Sequence, residues 1–105
     1  MSLDSTPSVT GHDVIDERGT RIGKASDVLF DRHDGHPAWV QVDQGLLKSR
    51  HVLIPLERAY RADDAVVVPY TKEMLKRAPR VKSPVALTNE LEAELVAFYG
   101  LAESA

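Results

Sequence analysis

The sequence predicts a mainly β domain, a small antiparallel barrel of about six short strands, followed by a short helix and a C-terminal amphipathic helix. Three observations carry this expectation. The first two-thirds of the chain breaks into short β-prone runs separated by turn residues, with no helical stretch between them. Strands joined this closely leave no room for the crossovers that parallel neighbours require. Beyond Tyr70 the pattern changes, and apolar residues recur at helical spacing.

Each element follows from its own residues. Gly11 to Asp16 gives a first extended run, and "DERG" (Asp16 to Gly19) has turn composition. "TRIGKASDVLFD" places Ile22, Val28 and Phe30 at even positions, with Gly23 expected at a bend or bulge. In "DRHDGHP", Asp34-Gly35 is a strong hairpin signal and Pro37 ends the turn. "AWVQVD" sets Trp39, Gln41 and Asp43 against Val40 and Val42, a period of two with one buried face. "HVLIPL" is a denser apolar strand, and "ERAYRADDAVVVPY" reads as two strands around an Ala62-Asp63-Asp64 turn. Val40, Val42, Val52, Ile54, Val66 and Val68 are expected to form much of the core.

In the C-terminal third, Thr71 is the expected N-cap of a short helix that stops before Pro79. "PRVKSP" is a stiff basic connector. In "TNELEAELVAFYG", Asn89 and Glu92 have capping-box spacing and Gly100 sits at the C-terminal cap. Leu91, Leu95, Phe98 and Tyr99 form one apolar stripe against a glutamate-rich face. The expected division is a polar tail over 1–8, a barrel core over 9–70, and a helical extension over 71–105, packed on the barrel or on a second subunit.

Composition narrows the function classes. There are no cysteines among the 105 residues, which removes disulfides and thiol nucleophiles. No apolar run approaches the length of a membrane helix, and the polar N-terminus does not resemble a signal peptide, so a cytoplasmic location is expected. The net charge of −3 is unevenly spread. Residues 43–82 hold nine basic and five acidic side chains, whereas residues 83–105 hold four acidic and no basic ones. Such segments attract one another within a chain or between chains, or the basic one meets nucleic acid.

The run Gly11, Val14, Asp16, Gly19, Ile22-Gly23-Lys24, then Asp27-Val28-Leu29, Val40, Val42, Gly45 and Val52-Leu53-Ile54-Pro55 resembles the PRC-barrel family over roughly residues 9–80. Stand-alone members are similar over the full length, down to Phe98-Tyr99-Gly100. The resemblance implies a β-barrel of about six strands used as a binding and assembly module, with no shared catalytic residues. The family includes barrels of the photosynthetic reaction centre and of a ribosome maturation factor. Neither specific role is expected to carry over, because neither a membrane anchor nor the accompanying N-terminal domain is read in these 105 residues.

His33 and His36 flank the Asp34-Gly35 turn, which exposes them to water and supplies too few convergent ligands for a metal. His12 and His51 open strands with no nucleophile and orienter evident beside them. Leu46 and Leu47, rimmed by Lys48 and Arg50, read either as a contact patch or as a plug for the barrel end. Lys72, Lys76, Arg77, Arg80 and Lys82 form a basic patch that reads as a solvated surface, as the complement of Glu90, Glu92 and Glu94 across a homodimer, or as a nucleic-acid contact. The expectation is a non-enzymatic protein–protein assembly module without cofactor or metal, self-associating and docking on an unidentified protein. Its contact residues are Trp39, Leu46, Leu47, Leu91, Leu95, Phe98 and Tyr99. The alternative is an RNA- or ribosome-associated factor that uses the basic patch.

Overall fold

The computed structural model describes residues 10–31, 35–45, 50–82 and 85–101. His33, Asp34, Leu46 and Leu47 lie outside the described residues. Six strands form one sheet: β1 (Asp13–Asp16), β2 (Arg21–Phe30), β3 (Pro37–Gln44), β4 (Arg50–Pro55), β5 (Tyr60–Ala62) and β6 (Ala65–Val68). They lie in the order β4-β3-β2-β1-β6-β5. Two helices follow, α1 (Lys72–Leu75) and α2 (Asn89–Tyr99).

The sheet is mixed, which corrects the all-antiparallel expectation. β1 and β6 run parallel, with Val14 opposite Val66 and Asp16 opposite Val68. The crossover argument holds for consecutive strands, but here β2 to β5 together form the connection between the parallel pair. The sheet is also not closed into a barrel, since β4 and β5 stand at its opposite edges. It is nonetheless curled. Laid flat, six strands would hold the edges about 24 Å apart. The chain passes from Pro55 to Tyr60 through a single 3₁₀ turn at Leu56–Arg58, and five residue steps reach at most about 18 Å.

Bulges make the curl possible. The β1–β2 register shifts between Val14 and Ile15, and the β2–β3 register shifts between Ala25 and Asp27. Each extra residue bends and twists β2. The second shift also breaks the expected alternation: Ile22 is buried, Val28 is half-buried, and Phe30 is 56% exposed. Gly23 permits the close approach at the bend, because a Cβ there would run into the carbonyl oxygen of Asp43.

Turns are tied by their own side chains. Asp16 Oδ1 accepts the backbone N–H groups of Arg18 and Thr20, each at 2.9 Å, and Gly19 follows with φ +89°. Asp31 and His36 close the β2–β3 hairpin, Asp31 N–H donating to the His36 carbonyl at 2.7 Å. Asp63, with φ +54°, turns β5 into β6 as the sequence suggests.

The six expected core residues Val40, Val42, Val52, Ile54, Val66 and Val68 are all 1% exposed or less. The opposite face of β3 and β4 is covered as well, because Trp39, Gln41 and Leu53 are 4%, 3% and 0% exposed. The cover is the C-terminal extension of the same chain. Thr71 Oγ1 caps α1 by accepting Met74 N–H, and Leu75, Ala78 and Val81 then turn inward. α2 is capped by Thr88, whose Oγ1 accepts Leu91 N–H at 3.1 Å, so Asn89 is its first helical residue rather than its N-cap. Gly100 ends it in the left-handed region, as its position suggests.

Two bonds fasten this cover to edge strand β4. Val81 N–H donates to the His51 carbonyl at 3.3 Å, and Tyr99 OH donates to the Leu53 carbonyl at 2.6 Å. These carbonyls would otherwise be open acceptors on a sheet edge. Tyr99 also packs against Tyr70 and Phe98, with ring centroids 4.9 Å apart in each case, and against Trp39 at 6.3 Å. Burial pushes the Tyr99 phenol above its ordinary pKa, and neighbouring Tyr70 adds to the shift, so the hydroxyl stays a donor.

Candidate functional site

Two polar regions stand out, both near the junction of the sheet with its cover. The first is built by the register of β2, β3 and β4, which places Asp43 between Lys24 on one side and His51 on the other. Asp43 Oδ1 accepts three hydrogen bonds: from His51 Nδ1 at 2.7 Å, Ser26 Oγ at 3.0 Å and Gln41 Nε2 at 3.2 Å. Burial alone would raise the Asp43 pKa, but the bonds from His51, Gln41 and Ser26 outweigh it and hold the carboxyl below its ordinary value. An ionised carboxylate only accepts, so the proton of this contact sits on His51 Nδ1.

Serine, histidine and aspartate together invite comparison with a nucleophilic triad, but the connectivity differs. In a triad the histidine stands between the other two groups, with the hydroxyl on its far nitrogen. Here Ser26 and His51 both donate to one aspartate oxygen, so the hydroxyl is held by the acid and not by the base. The arrangement ties three strands together. His12, the other strand-opening histidine, accepts on Nε2 from Arg61 Nη2 at 3.1 Å and links the start of β1 to β5.

The second region lies on the extension. Arg77, Pro79 and Arg80 form one wall of an open groove of about 660 Å³, and Glu94, Ala97 and Phe98 of α2 form the other. Phe98 is half-buried, while Arg77, Arg80, Glu94 and Ala97 are exposed. Among the described residues, no ion pair involves Arg77, Arg80 or Glu94. The groove thus combines apolar side chains with basic groups on one side and an acidic group on the other.

The expected contact residues divide. Trp39, Leu95 and Tyr99 are 4%, 0% and 4% exposed and pack into the chain's own core, which removes them from the surface of this fold. Leu91 and Phe98 are half-buried at its margin. All five residues of the basic patch, Lys72, Lys76, Arg77, Arg80 and Lys82, are exposed, and the groove draws on two of them. The Asp43 cluster was missed. Reading "AWVQVD" and "HVLIP" as a hairpin does place Asp43 opposite His51, but nothing local in the sequence reveals that Ser26 joins them.

Among the described residues, no helix is long and apolar enough to cross a membrane. Comparison with curated proteins finds no match. The PRC-barrel domain model matches residues 3–75, a span that covers all six strands and ends at the last residue of α1. The match takes in well over half of the chain, and the protein belongs to the PRC-barrel family.

Proposed function

We propose that the protein is a non-catalytic assembly module that docks on other protein chains, copies of itself included. The observation that supports this reading is the groove between residues 77–80 and α2. Its mixture of apolar and charged lining residues has the composition of a small protein contact. The polar groups nearest to catalytic chemistry, by contrast, are spent on one another around Asp43. Self-association is checked by sedimentation equilibrium of the full chain over a series of concentrations. A reversible rise toward the dimer mass is expected, and a monomer at every concentration ends that part of the reading.

A second reading, an RNA- or ribosome-associated factor, is favoured by one observation: Phe98 shares its groove with Arg77 and Arg80. An aromatic ring beside cations is a platform for a stacked base. Glu94 in the same groove counts against it, because it repels phosphate. The reading predicts affinity for single-stranded RNA that falls steeply with salt and disappears when Lys76, Arg77 and Arg80 are changed to Glu.

A further inference from the structure

Every residue that lines the groove lies beyond Leu75, where the match to the family domain ends. The inward side of this appended segment is committed to the chain's own sheet through Val81, Leu95 and Tyr99. Its outward side carries charge of both signs, separated by element. Residues 72–82 hold five basic side chains and one acidic, whereas α2 holds Glu90, Glu92 and Glu94 and no basic residue.

We propose that this groove seats the same groove of a second copy across a two-fold axis, so that Glu94 of each chain meets Arg77 and Arg80 of the other. The proposal rests on the self-associating reading above and names its surface. A two-fold contact brings one patch against itself, so the patch must carry both halves of every interaction it makes. A surface of a single sign repels its own copy. This one carries both signs on facing walls without an ion pair between them. Phe98, Ala97 and Pro79 supply apolar area beside these charges, and the small side chain of Ala97 leaves room for a second helix to approach. A phosphate backbone finds no such match, since Glu90 and Glu94 stand exposed on the same helix as Phe98.

The geometry allows a charge-swap test on the full chain. Glu94→Arg places arginine against the partner's Arg77 and Arg80, and the double change Arg77→Glu with Arg80→Glu places glutamate against the partner's Glu94. Each variant alone is expected to dimerise at least tenfold more weakly than the wild type in sedimentation equilibrium. An equimolar mixture of the two is expected to recover dimer, because both contacts across the axis are then of opposite charge. All affected side chains are solvent-facing, and a circular dichroism spectrum like that of the wild type is expected from each variant. If the wild type dimerises and both variants do so equally well, or if the mixture fails to recover, the groove is not the interface, although self-association stands. If the wild type is monomeric throughout, self-association itself fails. Fluorescence anisotropy with a labelled single-stranded RNA supplies the remaining arm. RNA binding that is strengthened by Glu94→Arg and lost in the arginine double variant would make the groove a nucleic-acid surface and overturn the proposal.

Discussion

Asp43 receives three hydrogen bonds on one oxygen, whereas Glu94 shares a groove with two arginines and pairs with neither. Both carboxylates lie close to the seam between sheet and extension. The Asp43 side chain is 15% exposed, and that of His51 is 19% exposed. At such a site an unsatisfied charge would be costly, so neighbouring strands converge on it. Glu94 is exposed, where water satisfies a carboxylate at little cost and a local partner adds little. A charge that the fold does not need remains available to a second molecule.

The contrast can be broken most strongly at Gly23. Gly23→Val drives a side chain into the Asp43 carbonyl and against Val42 Cγ1, which stands 2.8 Å from the position of the new Cβ. Overpacking ordinarily costs about 1–3 kcal/mol, and here backbone is struck, so the loss is expected at the upper end of that range or beyond it. A lower urea midpoint checks this.

Asp43→Asn acts on the cluster alone. It replaces charge-assisted bonds with neutral ones, and a loss of about 1 kcal/mol at neutral pH is expected. The pH dependence follows from the direction of the shift. The folded carboxyl has a pKa below its ordinary 3.8, so the unfolded chain takes up the proton first. The contribution is complete well above 3.8 and is lost as the pH falls through the folded value. Denaturant titrations of wild type and Asp43→Asn are therefore expected to differ at neutral pH and to converge in acid. A difference that persists unchanged in acid would show that packing, not charge, sets the cost.

The smallest effect is expected at Glu94. At concentrations where the chain is monomeric, Glu94→Gln is expected to leave thermal stability within about 0.5 kcal/mol of wild type. A larger loss would mean that the groove belongs to the fold, and would erase the contrast with Asp43.

Local chemistry carried much of the fold into view. Turn residues at Asp16, Gly19 and Asp63 punctuate the strands, Thr71 and Gly100 mark helix ends, and six alternating aliphatic residues name the core. What the sequence concealed depends on distant pairing. A period of two identifies a strand but not its neighbour, so the parallel contact of β1 with β6 left no local trace. Trp39 and Gln41 suggested an exposed face because nothing in "AWVQVD" announces that α2 lies over it. Thr88 and Asn89 are both good caps in adjacent positions, and the glutamate three residues after Asn89 favoured the wrong one. Of the groove, the charges and Phe98 were legible. Their convergence was not, since it depends on how the extension folds back.

The parallel pairing of β1 with β6 also orders events in time. Asp13 has its parallel partner only when Ala65 is in place, and every other strand is made in between. Closing so long a loop costs entropy before any contact rewards it, and topologies of this kind fold slowly for their size. During synthesis, β1 and β2 can form their hairpin early, while the other edge of β1 waits for the Val66–Val68 segment to leave the ribosome. The extension that covers β4 emerges later still. The growing chain thus presents two open sheet edges in turn, that of β1 until β6 arrives and that of β4 until the extension does.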